Sequence, residues 1–183
     1  MEKPKTWSGD DCYTDILGKG RVEKSSLRIE CLGTLDESSA ALGLAKSFCA
    51  DNGIQQHISQ LQKVLYRLMT EAAATKETID NFPGVSDEDV KWLEEEVRTI
   101  ESTVKIPNEF ILPGSTRFSA ALDLARTTIR KAERRLVDLS HQGEYQNIAG
   151  LKFINRLSTL IFYMEIREII SQPNPGSFKA KQF

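Results

Sequence analysis

From residue 34 onward the apolar positions recur every three or four residues almost everywhere, and no stretch alternates with period two for long enough to suggest a half-buried strand. The pattern predicts an all-α core of five helices. Thr34-Leu35-Asp36-Glu37 has the shape of a capping box, which sets a first helix from Thr34 to about Asp51, stopped by Asn52-Gly53. A second helix carries Ile58, Leu61, Leu65, Leu68 and Ala72 on one stripe and fades near Thr75 to Thr78. Asn81-Phe82-Pro83-Gly84 is a turn. Ser86 with Asp89 then caps a charged third helix, Val90 to about Val104, whose Trp92, Leu93, Val97 and Ile100 form its buried face.

Ile106-Pro107-Asn108 breaks that helix, and Pro113-Gly114 interrupts the apolar segment Phe110-Ile111-Leu112. Ser115 is the expected cap of the fourth helix, where Phe118, Leu122, Ala125, Ile129, Ala132, Leu136 and Leu139 repeat four-three-four-three. The fifth runs from about Ile148 to Ile170, with Phe153, Leu157, Leu160 and Met164 towards the core. The domain organisation expected is one domain over 1–183: an N-terminal arm (1–32), a helical bundle (33–171) and a flexible tail (172–183).

Composition narrows the function classes. Lys plus Arg number 24 against 26 Asp plus Glu, a formal charge of −2, so no global field calls for nucleic acid or an anionic membrane. Any anion site must be local. Three cysteines without a Cys-x-x-Cys pair indicate neither a disulfide framework nor a zinc knuckle, and a reducing cytoplasm is expected. No stretch approaches the roughly 20 apolar residues of a membrane span, and Met1-Glu2-Lys3-Pro4 lacks an apolar signal core, so no membrane partner and no processing are expected.

Three groups of residues could carry chemistry. Thr6-Trp7-Ser8-Gly9-Asp10-Asp11-Cys12-Tyr13-Thr14 collects hydroxyls, a glycine and backbone amides as a nest for phosphate oxygens does; the same residues also compose an ordinary polar arm. Walker and dinucleotide fingerprints are both absent. On the fourth helix, Arg126, Arg130, Glu133 and Arg134 fall within one sector beside the apolar stripe, with Lys131 and Arg135 adjoining. Forked guanidinium donors suit phosphate, and a solvated face laced with ion pairs is the alternative. Asn155 sits among apolar neighbours and must bond either a ligand or another helix. His57 and His141 read as surface residues, Trp7 and Trp92 as packing.

These pieces, in this order, resemble the PduO-type ATP:cob(I)alamin adenosyltransferases from Thr6 to about Ile166. The family's Thr-x-Thr/Asn-Gly-Asp-x-Gly lies on Thr6 to Cys12 and continues without a gap to its lysine at Lys24. Gly-Thr-x-Asp-Glu is Gly33 to Glu37, and Phe-Ile-Leu-Pro-Gly is Phe110 to Gly114. The arginine-rich motif is Ala125 to Arg134 with Lys131 for one arginine, and Asn-Arg-Leu-Ser is Asn155 to Ser158. Cys12 stands at a glycine of the pattern, so a positive φ there would be strained. Asp15 stands where serine or threonine is usual.

The resemblance implies a five-helix, ferritin-like up-and-down bundle with an N-terminal phosphate-binding loop, assembled as a homotrimer with ATP between subunits. It implies transfer of the 5′-deoxyadenosyl group of ATP to the cobalt of cob(I)alamin with Mg²⁺ present, giving adenosylcobalamin and triphosphate. Thr6, Trp7, Ser8, Gly9, Thr14, Asp15, Lys24, Arg130, Lys131, Glu133, Arg134 and Asn155 would contact the nucleotide; Asp36 would pair with Arg126 across the interface; Phe110 would keep the lower cobalt face free of a ligand. No metal-ligand set is implied. A flavin reductase and an adenosylcobalamin-dependent enzyme are the further partners it suggests. The alternative is a non-catalytic trimeric module that holds ATP or a corrinoid and regulates or delivers it.

Overall fold

The computed structural model describes residue 7 and residues 9–106 and 111–172. Five helices carry the fold: α1 (Leu27–Phe48), α2 (Asn52–Ala73), α3 (Asp87–Glu101), α4 (Arg117–His141) and α5 (Ile148–Ile170). Ahead of them a small antiparallel hairpin pairs β1 (Tyr13–Asp15) with β2 (Arg21–Glu23), Thr14 opposite Val22. The helices pack in the spatial order α2, α1, α4, α5, α3, which leaves α1, α4 and α5 in the middle of the bundle. The stripes read from the sequence meet there. Leu35 and Leu42 from α1, Leu61 and Leu65 from α2, Leu93 from α3, Leu122, Ile129 and Leu136 from α4, and Phe153 and Leu157 from α5 are all fully buried in one hydrophobic cluster.

Helix ends follow local hydrogen bonding. Asp51 accepts from the Gly53 and Ile54 amides and starts α2, so Asn52-Gly53, expected as a stop, opens the next helix instead. Ser86 and Asp89 form the expected capping box of α3. α4 is capped not by Ser115 but by Thr116, whose box partner is Ser119. The largest departure is α1, which begins at Leu27 rather than Thr34. Thr34 is a buried mid-helix residue whose hydroxyl donates to the Cys31 carbonyl, a bond that satisfies a threonine inside a helix as well as a cap would.

The hairpin is fastened to one end of the bundle. Leu17 bridges Ala74 just past α2. Arg28, on the first turn of α1, donates to the Ala72 and Ala74 carbonyls and meets Glu144 beyond α4 at 3.0 Å. That end holds the start of α1 and the finish of α4, so the hairpin sits at the same end of the bundle as the C-terminus of the helix that carries the arginines. Trp92 packs against the core as expected, whereas Trp7 is 80% exposed among the described residues rather than packed. Among the described residues no helix is long and apolar enough to cross a membrane.

Candidate functional site

The N-terminal loop is closed by Lys24. Its amide donates to the Cys12 carbonyl at 2.9 Å, continuing the hairpin ladder, and its ammonium donates to the Gly9 carbonyl at 2.6 Å. One ammonium has three N–H donors, and among the described residues only this one acceptor meets it. Gly9 is required by this contact, because a Cβ there would stand 2.7 Å from Lys24 Nζ. Cys12 has φ +68°, the left-handed conformation that its place in the sequence pattern anticipated, and a cysteine there is strained relative to glycine. Arg21 grips Asp11 with two bonds of 2.6 and 2.9 Å and lies 3.7 Å from Asp15, and the Arg21 hydrogen bond holds the exposed Asp11 carboxyl below its ordinary pKa. Gly9, Cys12, Tyr13, Glu23, Lys24 and Ser25 line an open recess of about 440 Å³.

α1 begins directly after Ser25, which lines that recess. Its N-cap residue, Ser26, makes no side-chain capping bond, and Ser26 Oγ is the one buried side-chain oxygen or nitrogen without a hydrogen-bond partner among the described residues. An orphaned hydroxyl at a helix N-terminus, two residues from a lysine, suits an anion. The sequence pattern did not single out Ser26; its place just before the true start of α1 was hidden by the apparent cap at Thr34.

On α4 the structure divides the basic cluster in two. Lys131 meets Glu37 at 3.2 Å, and Arg135 lies 3.7 Å from Glu30 and 3.1 Å from Asp138, so these cations are engaged by carboxylates, mostly on α1. Arg126 is held by Asp123 at 2.6 Å. Arg130 and Arg134 are different: both are exposed, one turn apart, and neither has a carboxylate partner among the described residues; Arg134 donates to the Arg130 carbonyl at 2.9 Å. Glu133, between them, accepts from Asn155 Nδ2 on α5 at 2.7 Å. Asn155 is thus an exposed residue that bonds a neighbouring helix at the edge of the arginine face. Arg130, Lys131, Glu133, Arg134 and Asp138 line an open recess of about 430 Å³ that shares no residue with the recess of the N-terminal loop.

Residues 5–168 match the cobalamin adenosyltransferase family. The chain belongs to that family. Its relatives include a corrinoid adenosyltransferase of Citrobacter freundii, 30% identical over 90% of this chain and 93% of the relative, and one of Bacillus subtilis, 32% identical over 86% and 81%. Corrinoid adenosyltransferase PduO of Salmonella typhimurium is 33% identical over 86% of this chain; there the chain spans about half of the relative, 47% of its length. Among solved structures, a phenylalanine-to-alanine variant of the PduO-type ATP:corrinoid adenosyltransferase from Lactobacillus reuteri, complexed with cobalamin and ATP, superposes with a TM-score of 0.82 at 30% identity, covering 91% of this chain and 93% of the other.

The family's expected site residues are distributed as follows. Gly9 and Lys24 are joined directly, with Thr14 and Asp15 on the adjoining strand and Trp7 standing out into solvent. Arg130, Glu133, Arg134 and Asn155 form a second group on α4 and α5, and Lys131 is turned towards α1. Asp36 is exposed on α1 and makes no ion pair within the chain among the described residues. Thr6, Ser8 and Phe110 lie outside the described residues, as do residues 173–183 of the expected tail. Two residues that sequence reasoning passed over, Asp123 and Glu165, surround Arg126: Glu165 Oε2 lies 3.9 Å from Arg126 Nε, and Glu165 is 2% exposed.

Proposed function

We propose that this chain transfers the 5′-deoxyadenosyl group of ATP to the cobalt of cob(I)alamin, giving adenosylcobalamin and triphosphate. The observation that carries this reading is the pair Arg130 and Arg134, exposed and without carboxylate partners among the described residues, beside the Glu133–Asn155 bond, in a chain of the cobalamin adenosyltransferase family. Every other basic residue of the cluster is already neutralised. Two unpaired guanidinium groups one turn apart offer parallel N–H donors to phosphate oxygens.

The chemistry asks mainly for placement. Cobalt(I) supplies the electron pair that bonds to the ribose 5′ carbon, the carbon–oxygen bond breaks, and triphosphate leaves with that bond's electrons. No proton need be removed, so the residues serve to align the 5′ carbon and to stabilise the departing charge. Arg130 and Arg134 meet the phosphates, Glu133 is held by Asn155 in reach of a ribose hydroxyl, and Lys24 with Ser26 and the α1 N-terminus offers a second anion cradle. A Mg²⁺ ion would be carried mainly by triphosphate oxygens and water rather than by a protein cage.

Each recess is open and supplies half of what a triphosphate needs, which supports a homotrimer in which the Lys24 loop of one protomer faces the Arg130–Arg134 side of the next. In that arrangement Asp36 reaches Arg126 of the neighbour. The three free thiols, two of them buried, suit the cytoplasm, where a flavin reductase would supply cob(I)alamin and an adenosylcobalamin-dependent enzyme would take the product. The test is to incubate the protein with ATP, Mg²⁺ and chemically reduced cobalamin and follow the absorbance of the cobalt–carbon product. Conversion that is lost in Arg130→Ala supports the reading. ATP binding without conversion would instead identify a module that holds or delivers its ligand.

A further inference from the structure

Arg126 on α4 is clasped by two acids of its own chain. Its Nε and Nη2 both donate to Asp123 Oδ1, at 3.0 and 2.6 Å, and Nε lies 3.9 Å from Glu165 Oε2 on α5. The Nη1 amino group has no partner among the described residues. The Asp123 and Glu165 side chains are 16% and 3% exposed and that of Arg126 is 28% exposed, so two largely buried carboxyl groups meet the inner side of a guanidinium whose outer side reaches solvent. Two ionised carboxylates against one cation there leave a net buried negative charge, which is costly; a proton bound by one of them removes it.

We propose that Asp123 and Glu165 act as a proton-sharing carboxyl pair that positions Arg126 for the adenosyl transfer. The inference rests on the function proposed above. With Glu165 protonated, its O–H donates to Asp123, Asp123 alone balances Arg126, and the guanidinium keeps its outer N–H groups for a partner beyond the protomer. With Glu165 ionised, both acids draw the guanidinium inward. Asp123 and Arg126 are the charged groups that act on Glu165. From α3, Glu94 is taken up by Arg156 and Glu101 by Tyr163; on α5 itself Arg167 and Glu168 follow, Glu168 accepting from Thr116 and Gln172. Burial, and then Asp123, push the Glu165 carboxyl up to about 7, so the exchange falls near neutral pH.

Two measurements on the full-length protein test this. The first follows the Arg126 Nε–H resonance in protein with ¹⁵N-labelled arginine side chains, assigned by its loss in Arg126→Lys, from pH 5.5 to 8.5 without substrate. A shift with a midpoint near neutrality in the wild type, its absence in Glu165→Gln, and a move to lower pH in Asp123→Asn are expected, the last because the amide replaces a like charge with a donor. The second compares KM for reduced cobalamin at pH 8 with that at pH 6. The ratio should be about threefold or more in the wild type and close to one in Glu165→Gln, since the glutamine mimics the protonated acid at every pH. Comparing proteins cancels any pH dependence of the substrate. An Arg126 resonance indifferent to pH overturns the carboxyl pair, and an equal KM ratio in the two proteins overturns its positioning role. If the wild type forms no adenosylcobalamin at any pH, the function proposed above falls and the positioning role with it, while the resonance still reads the carboxyl pair.

Discussion

Asn155 Nδ2 on α5 donates to Glu133 Oε1 on α4 at 2.7 Å, fixing one carboxylate oxygen beside two arginines that have no carboxylate partner among the described residues. Both residues sit at the surface, so the bond contributes little to folding and much to where Glu133 points. Asn155→Ala should therefore leave the melting temperature within about 2 °C of wild type while raising KM for ATP about tenfold, the loss expected for one hydrogen bond to a charged group. Asn155→Asp should be worse, because it sets a second negative charge against Glu133 close to where triphosphate binds. Steady-state kinetics with calorimetric melting separates the two effects; a large melting shift with unchanged KM would make the bond structural only.

Gly9 and Lys24 give a second prediction. A methyl group on Gly9 would stand 2.7 Å from Lys24 Nζ and 3.1 Å from Cε, and the end of a lysine can swing away cheaply. The fold should tolerate Gly9→Ala, but the ammonium would leave the Gly9 carbonyl and its place at the recess. ATP affinity should fall roughly tenfold in Gly9→Ala and at least as far in Lys24→Ala. The double variant should be little worse than Lys24→Ala, since both changes act through the same cation. Additive losses in isothermal titration would show that Gly9 acts independently of Lys24.

The helices were legible because their cores repeat with helical spacing over four or more turns, and every residue of the α4 stripe is buried, with Ser119 and Ala121 beside them. Ends were legible only where a cap had no competitor: Ser86–Asp89 is a box, whereas Thr34, with the same spacing to an acid, turns its hydroxyl back to Cys31. The hairpin escaped notice because strands of three residues carry no period to read. Of the site, the collinear motifs and the shared arginine face were visible in the sequence. Which arginines are free was not, since that depends on Glu37 and Glu30 reaching across from α1. Nor was the approach of Asp123 to Glu165, two acids on different helices whose meeting only the packing of α4 on α5 creates.

A third prediction concerns stability. Glu71, 6% exposed, accepts from Tyr145 Oη at 2.9 Å and Asn147 Nδ2 at 2.7 Å, tying α2 to the start of α5. Burial and the neighbouring Glu71 charge raise the Tyr145 phenol, so it stays a donor. Glu71→Ala strands the Tyr145 hydroxyl and takes one of two acceptors from Asn147 Nδ2, which keeps the Val85 carbonyl at 2.8 Å, and should cost about 2–4 kcal/mol by chemical denaturation. Gly150→Ala should be similarly severe, because its Cβ would fall 1.8 Å from Tyr145 Oη, an atom already committed to Glu71. Tyr145→Phe, which leaves Glu71 its bonds from Asn147 Nδ2 and the Val85 amide, should cost only about 1–2 kcal/mol. A neutral Glu71→Ala would mean that this network is not what joins the two helices.

The last prediction is a pH dependence of stability without substrate. The folded protein holds the Glu165 proton up to about pH 7, well above the 4.5 of an ordinary glutamate as in the unfolded chain. Between those values the native state binds more protons than the unfolded state, so stability must fall as pH rises. The contribution is fully present below pH 4.5 and lost by the time pH passes through about 7. Its size is at most about 3 kcal/mol, several degrees in melting temperature for a chain of this length. Glu165→Gln carries the uncharged form at every pH, so its advantage over wild type should be small near pH 5 and grow towards pH 8. Other titrating groups are common to both proteins and cancel in the difference. Arg126→Ala should steepen the wild-type fall, because removing the cation leaves Asp123 and Glu165 to repel one another unopposed and moves the proton loss to higher pH. Parallel melting curves for wild type and Glu165→Gln across the whole range would place the Glu165 titration elsewhere, in an acid that ionises normally despite its burial.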